Sequence, residues 1–347
     1  MASEASEAHG GETRGRGRSP WLWVILVLGV LFVLTVGLVV LVVAVSAGGN
    51  GDTAGSSAER ASWEEVYVSG EGADRIAVVP VVGAIAAGEG GLLGDQTASP
   101  EALRAQLDQA ADDDSVRAVI LEVDSPGGGV VPSDVMHQEV VRFMEENEKP
   151  LVVSMGSTAA SGGYYISAPA DRILANRSTM TGSIGVVFPY TNFEEALDDF
   201  GIDYDPLTSG EFKDLASPAD ELTDEEREIL QSQIEDSYDQ FVGVIAEGRD
   251  LPEERVREIG DGRTYTGSQA EEIGLVDELG NLEDAARASR ELADLEEAEV
   301  FRYEPRQGLL SSLQARLVPR PPEALEALRA AGLDPSPELQ YLYQAGL

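Results

Sequence analysis

The chain has 347 residues with no cysteine and two histidines, which excludes disulfides, thiol nucleophiles, thiolate metal sites and a histidine-rich metal centre. Its 63 acidic and 24 basic residues give a net charge of −39, a surface that repels nucleic acid. The acids are spread through segments with good apolar periodicity, and arginine has displaced lysine everywhere except Lys149 and Lys213. Such a composition suggests adaptation to molar salt, where the screening length falls to about 3 Å, and a halophilic source is expected.

Residues 1–20 read as a small, polar cytoplasmic tail carrying Arg14, Arg16 and Arg18. Trp21 to Val45 then run without a single charge. At about 1.5 Å per residue, such a helix exceeds the roughly 30 Å hydrocarbon core, so a single tilted transmembrane helix is expected. Trp21 and Trp23 suit the membrane interface. Secretory signal peptides have apolar cores of only about 7–15 residues, which favours a retained anchor over a cleaved one. The preceding arginines place the N-terminus in the cytoplasm and everything beyond the span outside the cell.

Residues 46–73 have the composition of a flexible linker. Beyond them, "RIAVVPVVGAI" reads as a strand and "SPEALRAQLDQAADD" as a helix with Ser99 at its N-cap. "VRAVILEVD" (116–124) is nearly continuous in apolar residues, as a strand buried on both faces must be. An amphipathic helix over "PSDVMHQEVVRFMEENE", a buried strand "PLVVSM" and a helix starting at Gly162 follow. "DRILA" and "GSIGVVF" are expected as further strands. After about residue 222 the chain turns helical, opening on a capping box formed by Thr223 and Glu226, with short helices near Pro252 and Gly267. "VPRPPEALEALRAAG" reads as one helix in the tail. Alternating strands and helices argue for an α/β domain over residues 74–295, followed by a C-terminal extension over 296–347.

Three places could carry chemistry. "DSPGGGVV" (124–131) follows the buried strand; it lacks both the dinucleotide spacing and a phosphate-loop lysine. It reads either as a plain turn or as bare backbone around Gly128 whose amides face a carbonyl oxygen. Ser161, crowded by small residues in "STAASGGYY", reads either as a helix N-cap or as a nucleophile at a helix N-terminus, with the Gly162 amide beside it. A nucleophilic serine needs a base. His9 lies in the tail across the expected membrane, and His137 sits mid-helix in a charged stretch, expected to face solvent. Lysine is the next candidate, because a desolvated lysine acts as a general base near neutral pH. Lys149 ends a hydrophilic helix as a solvated cation, whereas Lys213 in "TSGEFKDLASP" survives in a chain nearly purged of lysine. Arginine cannot give up its proton, so a catalytic lysine could not have been replaced that way.

Read together, "VDSPGGGVVPSDVM", "GSTAASGGYYISAPADRILANRSTMTGSIGVV", "GEFKDLASP" and "GRTYTGSQAEEIGLVDELG" resemble the signal peptide peptidase A family of membrane-anchored Ser/Lys peptidases, over about residues 74–290. The resemblance implies a fold of the crotonase and Clp-protease kind, with βαβ units stacked around a parallel sheet. It implies Ser161 as nucleophile, Lys213 as general base, Gly128 and Gly162 as oxyanion donors, and Ser183 in "TGSIGV" as a hydroxyl that positions the lysine. By position alone Ser183 is equally a hydroxyl at the start of a strand. The histidine that the Clp branch carries after its serine has no counterpart here. No metal or cofactor is implied. Released signal peptides or similar apolar segments are the expected substrates, and a ring of identical subunits the expected assembly. Apolar residues in "GLLSSLQARL" and "LQYLYQAGL" lack an obvious local layer to cover them, in keeping with such a ring. A regulatory membrane protease of the stomatin-associated kind and a non-catalytic scaffold on the same fold are the alternatives.

Overall fold

In the computed structural model the described residues are 63–88, 97–305 and 340–342. The expected tail, the membrane span at 21–45, most of the linker, the "GLLSSLQARL" stretch and the helix of the C-terminal extension lie outside them. Among the described residues no helix is long and apolar enough to cross a membrane.

The chain enters with β1 (Glu64–Ser69), β2 (Arg75–Val82), the short β3 (Ala84–Ile85) and β4 (Thr97–Ala98). Helix α1 (Pro100–Asp112) starts where expected: the Ser99 hydroxyl accepts the Ala102 amide at 3.2 Å and proline occupies the first turn. Then come β5 (Val116–Ser125), β6 (Gly127–Gly129), α2 (Val130–Glu146), β7 (Leu151–Ala160), the six-residue α3 (Gly162–Ser167), β8 (Arg172–Ala175) and β9 (Met180–Gly182). The helical second half holds α4 (Glu194–Asp199), α5 (Asp224–Arg249), α6 (Glu253–Ile259), β10 (Thr264–Thr266), α7 (Gly267–Glu272), β11 (Glu278–Leu279) and α8 (Leu282–Leu292). Strands β12 (Glu299–Glu304) and β13 (Gln340–Leu342) complete the described chain. Thr223 forms the expected capping box with Glu226 at the head of α5.

Among the described residues nine strands form one sheet, whose main path runs β1-β12-β2-β5-β7-β8-β11. Every neighbouring pair from β12 to β11 is parallel, so each crossover must return over a face of the sheet. Helices therefore cover both faces, and Ala118–Leu121 of β5 are fully buried. Its Val119, Leu121 and Val123 join one buried cluster with Val153 of β7, Phe143 of α2 and Phe241 of α5. Ala118 and Ile120 point the other way, with Val152 and Leu174, against Ala285, Ala286 and Ala288 of α8. The mixed α/β architecture with a parallel-rich sheet is the one expected.

Three expectations are corrected. The end of the expected linker is not loose: β1 pairs antiparallel with β12, which itself lies in the expected extension. Arg75 fastens that edge, reaching Glu65 at 2.6 Å, Asp113 and Glu299 at 3.3 Å, and the Phe301 ring at 3.8 Å. The strand expected over "GSIGVVF" ends at its first residue, because Ser183 takes a left-handed backbone (φ 49°) that no strand continues. The strand begun by "PLVVSM" runs on to Ala160, past a bend that its sequence disguises.

A second sheet is small and consequential. It runs β13-β6-β3-β4, with β6 parallel to β3 on one side and antiparallel to β13 on the other. The chain's own segment at 340–342 thus lies along the glycine strand, with Tyr341 opposite Gly128.

Candidate active site

Strand β7 serves two neighbours in turn. Val152–Met155 pair with β8, and Thr158–Ala160 pair with β9, Ala160 standing opposite Gly182. One residue later the strand ends at Ser161, held at φ 53° and ψ −118°, and α3 begins. A left-handed backbone at a residue other than glycine costs on the order of 1–3 kcal/mol, so the surroundings must hold it. The Ser161 amide donates to the Gly182 carbonyl at 2.7 Å, and its own carbonyl accepts the Tyr165 amide at 2.8 Å. The N-cap reading of its hydroxyl is corrected: it makes no capping bond, because a side-chain cap needs an extended backbone that Ser161 does not have.

The residues around Ser161 explain its setting. A Cβ at Gly163 would lie 2.7 Å from the Ser125 carbonyl oxygen, so only glycine lets α3 approach the end of β5. Behind it, the Tyr164 hydroxyl donates to the Leu275 carbonyl at 2.7 Å and the Tyr165 hydroxyl to Asp134 at 2.9 Å. Both tyrosines are fully buried, and burial pushes the Tyr164 hydroxyl's pKa up. They fix α3 in the core, while the first-turn amide of Gly162 has no acceptor within its own helix.

Gly128 lies in β6, directly after the turn in which the Ser125 hydroxyl accepts the Gly127 amide at 3.1 Å. A Cβ at Gly128 would fall 1.9 Å from the Ile85 carbonyl oxygen, so glycine is demanded by the pairing with β3.

Ser183 stands one residue beyond the rung that joins Gly182 to Ala160, as Ser161 stands one residue beyond its partner. It is nearly buried, and its amide donates to the Arg263 carbonyl at 2.9 Å. A groove of about 520 Å³ starts at Ser183 and is lined by Ile184, Val186, Ile234 and Tyr238, with Glu235 and Arg257 also on its walls. Lys213 is exposed on the segment between α4 and α5. Among the described residues no hydrogen bond within the chain joins it to Ser161 or Ser183.

The other titratable candidates fall away from this place. His137 does not face solvent freely: its ring packs edge-on against Tyr165, with centroids 5.1 Å apart, because α2 turns that side toward the core. Burial lowers its pKa, against the opposing pull of Asp134 and Glu247. Lys149 is half-buried rather than solvated, donating to the carbonyls of Ala110, Ala111 and Asp113 at 2.7, 3.0 and 2.8 Å. It caps the C-terminal end of α1, whose free carbonyls attract a cation. Among the described residues no cluster of three or more histidines and carboxylates is placed to hold a metal.

Sequence reasoning passes over three side chains that shape the site. Asp124 accepts the Thr158 amide at 2.9 Å; Thr179 and Thr181 donate to the carbonyls of Gly156 and Ala159 at 2.7 and 2.6 Å. The signal for Asp124 is a carboxylate near the end of a mostly buried strand, which carries Glu122 as well. The threonines carry no local signal, since their partners lie more than 20 positions away.

Residues 144–296 match the profile of peptidase family S49, a stretch that includes both Ser161 and Lys213. The chain is 37% identical over 241 residues to the protein assigned as signal peptide peptidase SppA in Enterococcus faecium, covering 69% of this chain and 70% of that one. An assigned protease of Synechocystis is 40% identical over 222 residues, 64% of this chain and 76% of its own. Protease 4 of Haemophilus influenzae is 37% identical over 227 residues, 64% of this chain and 35% of that longer protein. With a serine at a strained strand-to-helix turn and a relative 37% identical to it along 70% of that relative's length, the chain belongs to the signal peptide peptidase A family of S49 serine peptidases.

Proposed function

We propose that this serine peptidase is a membrane-anchored endopeptidase for released signal peptides or similar apolar segments, working with a Ser161–Lys213 dyad. The observation that carries the reading is the placement of Ser161 at a left-handed turn, on a short helix packed against the turn into β6. That strand already has an extended segment paired to it through Tyr341 and Gly128. Peptide binding by addition of a strand supplies backbone affinity and presents successive carbonyls in register. The tail and a substrate would compete for the same edge. The groove beyond Ser183, with Val186, Ile234 and Tyr238, suits an apolar side chain.

In this reading the Ser161 hydroxyl attacks the scissile carbonyl carbon as neutral Lys213 takes its proton. The amides of Gly128 and Gly162 receive the developing oxyanion. Lys213 then protonates the leaving amine, and water, activated by the same lysine, hydrolyses the acyl-enzyme. Ser183 hydrogen-bonds the lysine when it is in place. A catalytic unit over 74–295 that β1 and β12 extend at one edge of its sheet, an anchor at 21–45, a cytoplasmic N-terminus and an extracellular domain complete the proposal.

Lys213 is delivered from a second copy of the chain. Its segment carries Leu207 at 99%, Phe200 at 83% and Ile202 at 53% exposure, and α4 just before it buries none of its residues. Apolar side chains left in water on that scale suit a subunit contact. The test is complementation. Ser161→Ala and Lys213→Ala chains should each lose peptide cleavage by at least about 10³-fold, and Lys213→Arg should fail with them. Mixed and reassembled, the two alanine chains should regain activity, up to a quarter of the wild-type sites at most in a random mixture. Mixtures dead at every ratio would contradict delivery across an interface. Activity retained by either single variant would contradict the dyad itself.

A further inference from the structure

We infer that Asp124 is a positioning residue for Ser161: its carboxylate, seated in the space left by Gly156, holds the Thr158 amide and so sets the bend in β7 that aims the serine. The inference rests on Ser161 being the nucleophile. It begins with a mismatch in register. Val123 of β5 stands opposite Met155 of β7, yet Ser125 stands opposite Ala159. Two steps along β5 therefore span four along β7, and Asp124 alone faces Gly156, Ser157 and Thr158. Such a bulge leaves amides without a ladder partner and bends the strand that carries it.

Asp124 answers both needs. Its backbone is held from the other side, where it pairs with Val82 and its carbonyl accepts the Gly83 amide at 3.0 Å. Its side chain is then free to reach across the bulge, where Oδ1 accepts the Thr158 amide at 2.9 Å. A Cβ at Gly156 would lie 2.8 Å from the Asp124 Cβ and 2.9 Å from its Cγ, so the glycine and the carboxylate fit as a pair. On the far edge Thr179 holds the Gly156 carbonyl at 2.7 Å. The bulge is where β7 changes neighbours from β8 to β9, and Ser161 follows three residues after Thr158. A nucleophile displaced by about 1 Å can lose on the order of 10² in rate. The role needs an acceptor oxygen and not a negative charge.

A fluorophosphonate probe reads the inference through its rate of labelling at Ser161, located by peptide mass mapping, alongside kcat and KM for a peptide. Asp124→Ala should slow labelling and kcat together by about 30- to 100-fold, with KM within about threefold. Asp124→Asn keeps an acceptor oxygen and should stay within about threefold of wild type. Gly156→Ala should be slow by itself, since its Cβ would meet the Asp124 Cβ at 2.8 Å and Cγ at 2.9 Å. Should Asp124→Ala lose its cooperative melting transition, Asp124→Asn and Gly156→Ala decide the matter: a fast first and a slow second support the inference, and equal rates overturn it. A folded Asp124→Asn as slow as Asp124→Ala also overturns it, as do wild-type rates in Asp124→Ala. A wild-type chain that labels elsewhere than Ser161 removes the nucleophile and this inference with it.

Discussion

The Ser161 amide donates to the Gly182 carbonyl at 2.7 Å, and through that bond two serines leave neighbouring strands side by side. Ser161 and Ser183 each follow the same rung, and each has a left-handed backbone, at φ 53° and 49°. Two strained residues other than glycine at adjacent strand ends are expensive, and they persist because β10 holds β9 in place from its other edge.

Ser183 therefore tests whether its hydroxyl or only its backbone matters. Ser183→Gly keeps the left-handed backbone at no steric cost and removes the hydroxyl. If the hydroxyl positions the lysine, kcat should fall by about 10- to 100-fold with KM little changed. Unchanged kcat in a folded Ser183→Gly chain would leave the serine a turn residue only.

The tail offers a second test. Removing residues 340–347 frees the edge of β6 that Gln340–Leu342 occupy. A tethered competitor is present at high effective concentration, so KM for a peptide should drop by about three- to tenfold while kcat holds. A synthetic peptide of those residues should then inhibit the shortened chain competitively. Identical KM values with and without the tail would contradict competition for that strand.

How much of this was legible beforehand divides along a physical line. Ser99, Thr223 and the apolar run at 116–124 announce their elements because capping and two-faced burial are local in sequence. Ser161, Gly128 and Lys213 stand out by residue type in a setting of unusual composition. The bend in β7 is different: Gly156–Thr158 look like a loop, and only the carboxylate of Asp124 and the hydroxyl of Thr179, from other strands, make it part of a sheet. Strand β12 hides in the same way, since Arg75 and β2 give it a place that its own residues do not reveal. The burial of His137 is likewise set by Tyr165, on another helix.

That burial has a consequence for stability. The folded pKa of His137 is lowered from 6.5 by loss of hydration, which outweighs the attraction of Asp134 and Glu247. The folded state thus binds its proton less readily than the unfolded state does. The stability this contributes is present above pH 6.5 and is lost as pH falls through the folded value. Between pH 8 and pH 5 the melting temperature of the wild-type chain should fall more than that of His137→Gln, by at least about 2 °C. Parallel curves for the two chains would mean that His137 titrates alike in both states. Peptide cleavage at pH 8 should differ between them by no more than a few-fold, since the histidine lies outside the proposed dyad.

The most direct measurement is the site and rate of fluorophosphonate labelling across pH in the wild-type and Lys213→Ala chains. Attack by Ser161 requires a neutral base, so labelling should map to Ser161 and its rate should rise from neutral into alkaline pH. In Lys213→Ala the rate should fall by at least about 10²-fold and lose that rise. Labelling at another residue, or at Ser161 with the same rate and pH profile in both chains, would contradict a serine activated by Lys213.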